Sequence, residues 1–305
     1  LGGHDEEDFL RSDLIVANPA VPRFSPFLQV AESAGVPITT EICLFIEECP
    51  APVVGVTGSS GKTTTTSLLG EMFMRLNDGT VVGGNIGGSL LGRLGNITAE
   101  TPVILELSSF QLDRLGDLSW SPNVAVITNF LPNHLDVHGS LEAYRNAKYQ
   151  IVANQGLGDT AILNHDDVEV SSWMDSGAEK CVTFSLQERL EEGVFIESGK
   201  ISHTMKGKKR TVCSSSILRL PGRHNLANAL AATTGALLCG ISEKQISNVL
   251  SCFPGVEHRL EKVAKIKGVT YYNDSIATSP DRTRVALEAF SDPVILIAGG
   301  SDKGL

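Results

Sequence analysis

Apolar residues along this chain come in short runs, each closed by a polar or glycine-rich turn and followed by a longer stretch with helical spacing. That alternation predicts strands and helices around a mainly parallel sheet. The first series reads as a strand at Asp13-Leu14-Ile15-Val16-Ala17, a proline-punctuated loop, a helix from Ser25 to Ala34, a short strand at Pro37-Ile38-Thr39 and a helix from Glu41 to Glu48. A second series opens at Ala51. It has a strand at Pro52–Gly55, a helix running to about Leu76, and strands at Thr80-Val81-Val82, from Val103, and at Asn123–Asn129. Ser140 then caps a helix that carries Leu141, Tyr144, Ala147 and Ile151 on one face, with Lys148 within it. Ala161–Asn164, Lys180–Phe184 and Gly193–Ile196 alternate with turns and predict an extra antiparallel layer. A helix of small residues, Leu226 to Leu238, and an apolar segment, Ile246 to Phe253, lead to a hinge at Pro254–Leu260. Beyond it, strands at Val269–Tyr272 and from Val294 flank a helix from Asp281 to Phe290. The expected fold class is therefore α/β with open, mainly parallel sheets. The expected domains are 1–50, the tail of an open α/β domain; 51–255, a nucleotide-binding domain; and 256–305, the beginning of a third.

The chemistry concentrates after the Pro52–Gly55 strand. Val56-Thr57-Gly58-Ser59-Ser60-Gly61-Lys62-Thr63 sits between a strand and a helix, the setting of a phosphate-binding loop. Glycines there let backbone N–H groups turn onto phosphate oxygens, Lys62 supplies a point charge near the β/γ-phosphates, and the Thr63 hydroxyl can bind Mg²⁺. Val56 stands where the general pattern has glycine, and a Gly/Ser turn with a solvated lysine is the plain alternative. Ligands of open α/β sheets sit beyond the carboxyl ends of the strands. Glu106 ends the strand from Val103 and would face the same phosphates, as a metal ligand or as a structural carboxylate. The strand at Asn123–Asn129 leads into Pro132-Asn133-His134-Leu135-Asp136-Val137-His138-Gly139. His134 and His138 have the spacing of a helical zinc pair, but Pro132 and Gly139 bracket them and predict a loop. A lysine on a helix is ordinarily solvated, so the pattern alone does not single Lys148 out.

Composition narrows the class. Of 305 residues, 42% are hydrophobic and 20% charged, as in an ordinary globular protein. A formal net charge of −10 argues against nucleic acid as the main partner. The basic run Lys206–Arg210 reads as a solvated hairpin tip. Six scattered cysteines without a C-x-x-C pair indicate neither a zinc site nor a disulfide framework and fit a reduced cytoplasm. No apolar run approaches the roughly 18 residues of a membrane span. The chain starts at Leu1 and stops after a strand-like run and a Gly-Gly turn, which predicts an internal fragment, expected to be inactive by itself.

Taken in order, several motifs resemble the Mur ligases of peptidoglycan synthesis. They are Thr57–Thr63, Gly83-Gly84-Asn85-Ile86-Gly87, Glu106-Leu107-Ser108-Ser109-Phe110-Gln111-Leu112, Asn133-His134-Leu135-Asp136, Gly222–Leu230, His258-Arg259-Leu260-Glu261 and Asn273-Asp274-Ser275. The Ser-Ser-Phe-Gln-Leu run favours the branch that adds D-glutamate. The resemblance implies a cytoplasmic monomer of three domains that joins D-glutamate to UDP-N-acetylmuramoyl-L-alanine through an acyl phosphate, using ATP and two Mg²⁺ ions. It implies ATP contacts from Thr57, Gly58, Ser59, Ser60, Gly61, Lys62 and Thr63, with Asn225 and Asn228 at the adenine and Arg259 and Asp274 reaching phosphates and ribose. Thr63 and Glu106 would hold one metal, and His134 with a carbamylated Lys148 the other. Asn85, Ser108 and His134 would meet the muramoyl substrate, and Lys303 would take part in the reaction. One departure stands out: the family commonly reads Asn-Asp-Ser-Lys-Ala-Thr where this chain has Ile276 in place of lysine. The rival readings are a sister Mur or folylpolyglutamate-type ligase, and a nucleotide-binding protein without ligase activity.

Overall fold

A run such as Val53–Thr57, apolar on both faces, needs a packed layer above and below it. In the computed structural model, which describes residues 3–175, 177–277, 280–290 and 292–300, all five of its residues are buried. The chain reaches it through α1 (Glu6–Arg11), β1 (Ile15–Val16), α2 (Pro26–Ser33), β2 (Ile38–Thr39) and α3 (Glu41–Glu48). β1 and β2 pair in parallel as a small sheet of their own. Arg23 ties this first segment to the rest by ion pairs to Asp113 (2.7 Å) and Asp117 (2.9 Å).

Then follow β3 (Val53–Thr57), α4 (Lys62–Met74), β4 (Val81–Gly84), β5 (Val103–Glu106), α5 (Ser109–Leu115) and β6 (Val124–Ile127). After them come α6 (Leu135–His138), α7 (Leu141–Ala153), β7 (Thr160–Asn164), α8 (Val168–Ser171), β8 (Lys180–Ser185), β9 (Gly193–Glu197), β10 (Lys200–Met205) and β11 (Lys208–Ser214). Among the described residues these strands make one nine-stranded sheet, in the order β11-β10-β9-β8-β7-β6-β3-β5-β4. Every pairing from β4 to β9 is parallel; β10 and β11 add an antiparallel hairpin at the edge. The separate antiparallel layer expected over 160–217 is therefore not found. β8 and β9 pair in parallel, and Phe184 and Val194 pack into the same core as Ile162, so the sheet is continued rather than covered.

Side chains of a strand alternate between faces, and here the alternation sorts the core into two layers. Ile104, Val126 and Ile162 join α4, α9 (Arg223–Leu238) and α10 (Glu243–Cys252) on one face. Val103 and Leu105, Ala125 and Ile127, Ala161 and Leu163 meet α3, α5 and α7 on the other. Because β3, β5 and β6 are parallel, their carboxyl ends open on one edge.

The rest of the described chain is an antiparallel hairpin, β12 (Glu261–Ile266) and β13 (Val269–Asn273), followed by α11 (Pro280–Glu288). β12 was not legible because half of its residues are charged. The strand expected from Val294 is not formed: Ile295 and Ile297 are almost fully exposed, and β12 and β13 pair with each other. An apolar run becomes a strand only beside a ladder partner. Among the described residues, no helix is long and apolar enough to cross a membrane.

Candidate active site

β3 delivers Thr57 to the open edge of the sheet, and the chain turns through residues 58–61 into α4, whose first residue is Lys62. The turn is pinned by the end of β6. Ser59 N and Ser60 N donate to the Asn129 backbone carbonyl (3.0 Å) and to Asn129 Oδ1 (2.9 Å), and Thr128 Oγ1 donates to the Ser60 carbonyl (2.6 Å). The Ser59 hydroxyl donates to the Leu131 carbonyl and lies 2.9 Å from the Tyr144 hydroxyl. Gly61 has φ +81°, and a Cβ there would lie 2.1 Å from Asn228 Oδ1, so α9 closes the loop from the other side. A loop held this way starts a 13-residue helix whose free N–H groups and dipole favour an anion.

Two lysines meet at this loop. Lys62 Nζ and Lys148 Nζ both donate to the Gly58 carbonyl, at 2.9 and 2.8 Å, and Lys148 also reaches Thr57 Oγ1 at 3.4 Å. Lys148 is 1% exposed, on the inner face of α7, its ammonium 5.1 Å from the Tyr144 ring centre. The expectation that a helical lysine is solvated fails here, because Lys148 shares the stripe of Tyr144, Ala147 and Ile151. Burial, with repulsion from Lys62, pushes its pKa well below the usual lysine value, against the pull of Glu106. Lys62 is pushed down to about 8 by burial; Arg282 and Arg259 add to the fall and Glu106 opposes it.

Glu106 ends β5 at 2% exposure. Asn85 Nδ2 donates to Oε1 at 2.8 Å, and Oε2 meets no donor among the described residues. An unsatisfied buried carboxylate oxygen beside a phosphate loop fits a hard cation. Among the described residues no three His, Cys, Asp or Glu side chains cluster as a metal cage. Mg²⁺ held here would instead draw on hydroxyl, phosphate and water oxygens, its usual habit.

Leu135–His138 forms a single helical turn, α6, where a loop was expected; it carries His138, while His134 precedes it in the left-handed region at φ +53°. His138 Nε2 lies 2.9 Å from Ser109 Oγ, and its ring stacks on Phe110, so the two imidazoles do not form a bidentate zinc pair. Desolvation, then repulsion from Lys62 and Lys148, lowers the His134 pKa and favours the neutral, ligating imidazole. Ser108 caps α5 in a reciprocal box with Gln111.

A cavity of about 150 Å³ lies between the loop and the segment from Arg259 to Ala286; Asn129, Asn228, Arg259 and Asp274 line it. Asn225 does not: its Nδ2 donates to the Pro221 carbonyl and its Oδ1 accepts from Asn228 at 3.4 Å. Lys303 lies outside the described residues. The sequence reading missed Thr128 and Asn129, which the strand-end rule could have flagged, and Arg282, which nothing local distinguishes.

The profile of the Mur ligase middle domain matches residues 56–236, the stretch that builds this edge. The chain belongs to the Mur ligase family. Mur ligases are ATP-dependent enzymes that form amide bonds and use Mg²⁺, in keeping with the phosphate loop and Glu106. The UDP-N-acetylmuramoylalanine--D-glutamate ligase of Roseiflexus sp. (strain RS-1) is 42% identical over 317 residues, covering 100% of this chain and 67% of the relative. The enzyme of the same name from Pelotomaculum thermopropionicum is 41% identical over 304 residues, with 100% and 66% covered. The chain thus spans about two thirds of the length of these Mur ligases. UDP-N-acetylmuramate-alanine ligase MurC from Thermotoga maritima matches in structure with a TM-score of 0.63 at 25% identity, over 94% of this chain and 66% of that one. MurF from Acinetobacter baumannii matches in fold with a TM-score of 0.64 at 22% identity, over 90% and 67%.

Proposed function

We propose that this Mur ligase adds D-glutamate to UDP-N-acetylmuramoyl-L-alanine in peptidoglycan synthesis, acting as a cytoplasmic monomer. The carrying observation is the edge where Lys62, Lys148 and the unsatisfied Oε2 of Glu106 converge on a phosphate loop. The names of the 42% and 41% identical relatives support the choice of D-glutamate. The ATP these residues would bind is cytoplasmic.

ATP and a substrate carboxylate repel each other, and Lys62 offsets that repulsion once it leaves the Gly58 carbonyl for a phosphate oxygen. The γ-phosphoryl group passes to the muramoyl-alanine carboxylate, giving ADP and an acyl phosphate. The D-glutamate amine then attacks the acyl carbon, phosphate leaves, and an amide remains. Mg²⁺, when bound, supplies positive charge to the phosphates. Thr63 and Glu106 are assigned to one ion, and His134 with Lys148 to the second. Lys148 would serve there as a carbamate, formed by CO₂ on the neutral amine that its burial favours. Asn85 orients Glu106 and, with Ser108 and His134, faces the muramoyl substrate. Asn228, with Asn225 behind it, is assigned to the adenine, Arg259 and Asp274 to phosphates and ribose, and Lys303 to the reaction.

Residues 1–50 are proposed as the end of a uridine-nucleotide domain, 51–255 as the ATP domain and 256–305 as the start of the domain that holds the amino acid. The test is phosphate release from ATP by the full-length protein with UDP-N-acetylmuramoyl-L-alanine and each of several amino acids. Release with D-glutamate alone is expected. Release with another amino acid would move the protein to a sister ligase, and no release would leave only nucleotide binding.

A further inference from the structure

Position 276 lies on the wall of the nucleotide cavity, and its isoleucine gives a phosphate nothing to bind. Arg282, six residues on in the first turn of α11, lines the same cavity. Its Nη1 donates to the Ile276 carbonyl at 3.4 Å, which brings the guanidinium to the backbone of the residue whose side chain is aliphatic. We infer that Arg282 is a phosphate-binding residue, carrying from α11 the positive charge that position 276 lacks. The inference rests on the ATP-ligase reading of this site.

Ser60 and Gly61 of the phosphate loop, with Asn129 that pins it, line this cavity together with Arg282. Lys62, whose own shift is dominated by burial, is lowered further by Arg282 and by Arg259. Arg259 and Tyr144 feel Arg282 as well. Arg282 therefore shares the cavity with the phosphate loop, where the phosphates would lie. Lys62, Arg259 and Arg282 converge there against the carboxylates of Glu106 and Asp274, and Asp274 Oδ1 already accepts from Leu260 N at 3.0 Å. Cationic side chains beside the phosphate loop suit a polyphosphate. Arginine suits it further, since its planar fork can take two phosphate oxygens at once.

The plain alternative is that Arg282 only clips α11 to the 274–277 turn. A lysine restored at 276 separates the two, because it returns charge to the cavity and leaves that clip broken. In the full-length protein, binding of a non-hydrolysable ATP analogue with Mg²⁺ and binding of adenosine would be measured by calorimetry. Arg282→Ala, Arg282→Gln, Arg282→Ala with Ile276→Lys, and Lys62→Ala would be compared. A charge-assisted contact predicts about a ten- to hundredfold loss of analogue affinity in Arg282→Ala, unchanged adenosine affinity, and recovery with Ile276→Lys. Arg282→Gln keeps a donor for the Ile276 carbonyl and is expected to lose affinity equally, which keeps the test valid if the alanine variant folds poorly. If Lys62→Ala weakens the analogue while Arg282→Ala and Arg282→Gln bind it normally, or if Ile276→Lys restores nothing, the Arg282 assignment is overturned and the loop reading stands. If Lys62→Ala also binds normally, both fall.

Discussion

Lys62→Met removes a charge that the nucleotide-free protein buries beside the phosphate loop. Burial, helped by Arg282 and Arg259 and opposed by Glu106, takes the Lys62 pKa from 10.5 to about 8. At about 1.36 kcal/mol per unit, that fall corresponds to about 3 kcal/mol of destabilisation. Below pH 8 the lysine is protonated in both folded and unfolded chains, so the whole cost is present. Between about 8 and 10.5 the unfolded chain holds the proton and the folded chain does not, so wild-type stability rises with pH. Above 10.5 the cost is gone. Lys62→Met has no such term, and the bond from Lys62 to the Gly58 carbonyl, worth about 1 kcal/mol, is the main loss against it. Because Lys62 also lowers Lys148, its removal eases that lysine and acts in the same direction. In urea unfolding of the nucleotide-free full-length protein, the methionine variant should be the more stable at pH 7, by about 2 kcal/mol. Its advantage should close as pH rises from 8 to 10.5. Adding MgATP at pH 7 should reverse the order, because only the wild type gains an anion for its lysine. A stability gap that does not change with pH would refute the reasoning.

Three further predictions come from the same edge and its support. Lys148→Ala should abolish ligation and regain part of it with added formate or acetate, which can stand in for a carbamate; full activity without them would remove that role. A Cβ on Gly84 would sit 2.3 Å from the Glu106 carbonyl oxygen, at φ +96°. Gly84→Ala should therefore lower stability by about 2 kcal/mol or more and weaken Mg²⁺-dependent nucleotide binding, and an unchanged urea midpoint would count against the close approach. Phe184, 1% exposed in the core layer under α9, should cost about 3–5 kcal/mol as alanine. A loss under 1 kcal/mol would show that β8 is not packed as described.

Much of this architecture was readable because parallel strands buried on both faces declare themselves. Val53–Thr57 and Val103–Glu106 are apolar runs with a polar residue at the end, and the rule that ligands gather at strand ends places Glu106 at the phosphate loop from sequence alone. The helix from Glu41 to Glu48 was legible in full because Thr40 caps it and its apolar residues share a face. What was not legible depends on partners far away in sequence. Lys148 looks like any helical lysine until the stripe through Tyr144, Ala147 and Ile151 is followed across it. The strands of 160–217 alternate as an antiparallel layer would, and only the pairing of β8 with β9 shows that they prolong the main sheet. Val294–Ile297 has strand composition and no ladder. Arg282 gains its place from the fold of the 256–290 segment over the loop, which no local pattern encodes.

The central claim is that one edge of the sheet binds the phosphates of ATP through Lys62 and a metal through Thr63 and Glu106. A crystal structure of the full-length protein with Mg²⁺ and a non-hydrolysable ATP analogue tests it most directly. The account predicts that Lys62 Nζ leaves the Gly58 carbonyl for the β/γ-phosphates, and that a Mg²⁺ lies roughly 2.1 Å from Thr63 Oγ1 and from a Glu106 carboxylate oxygen. Phosphates bound elsewhere, or a Glu106 carboxylate still without a cation, would contradict it.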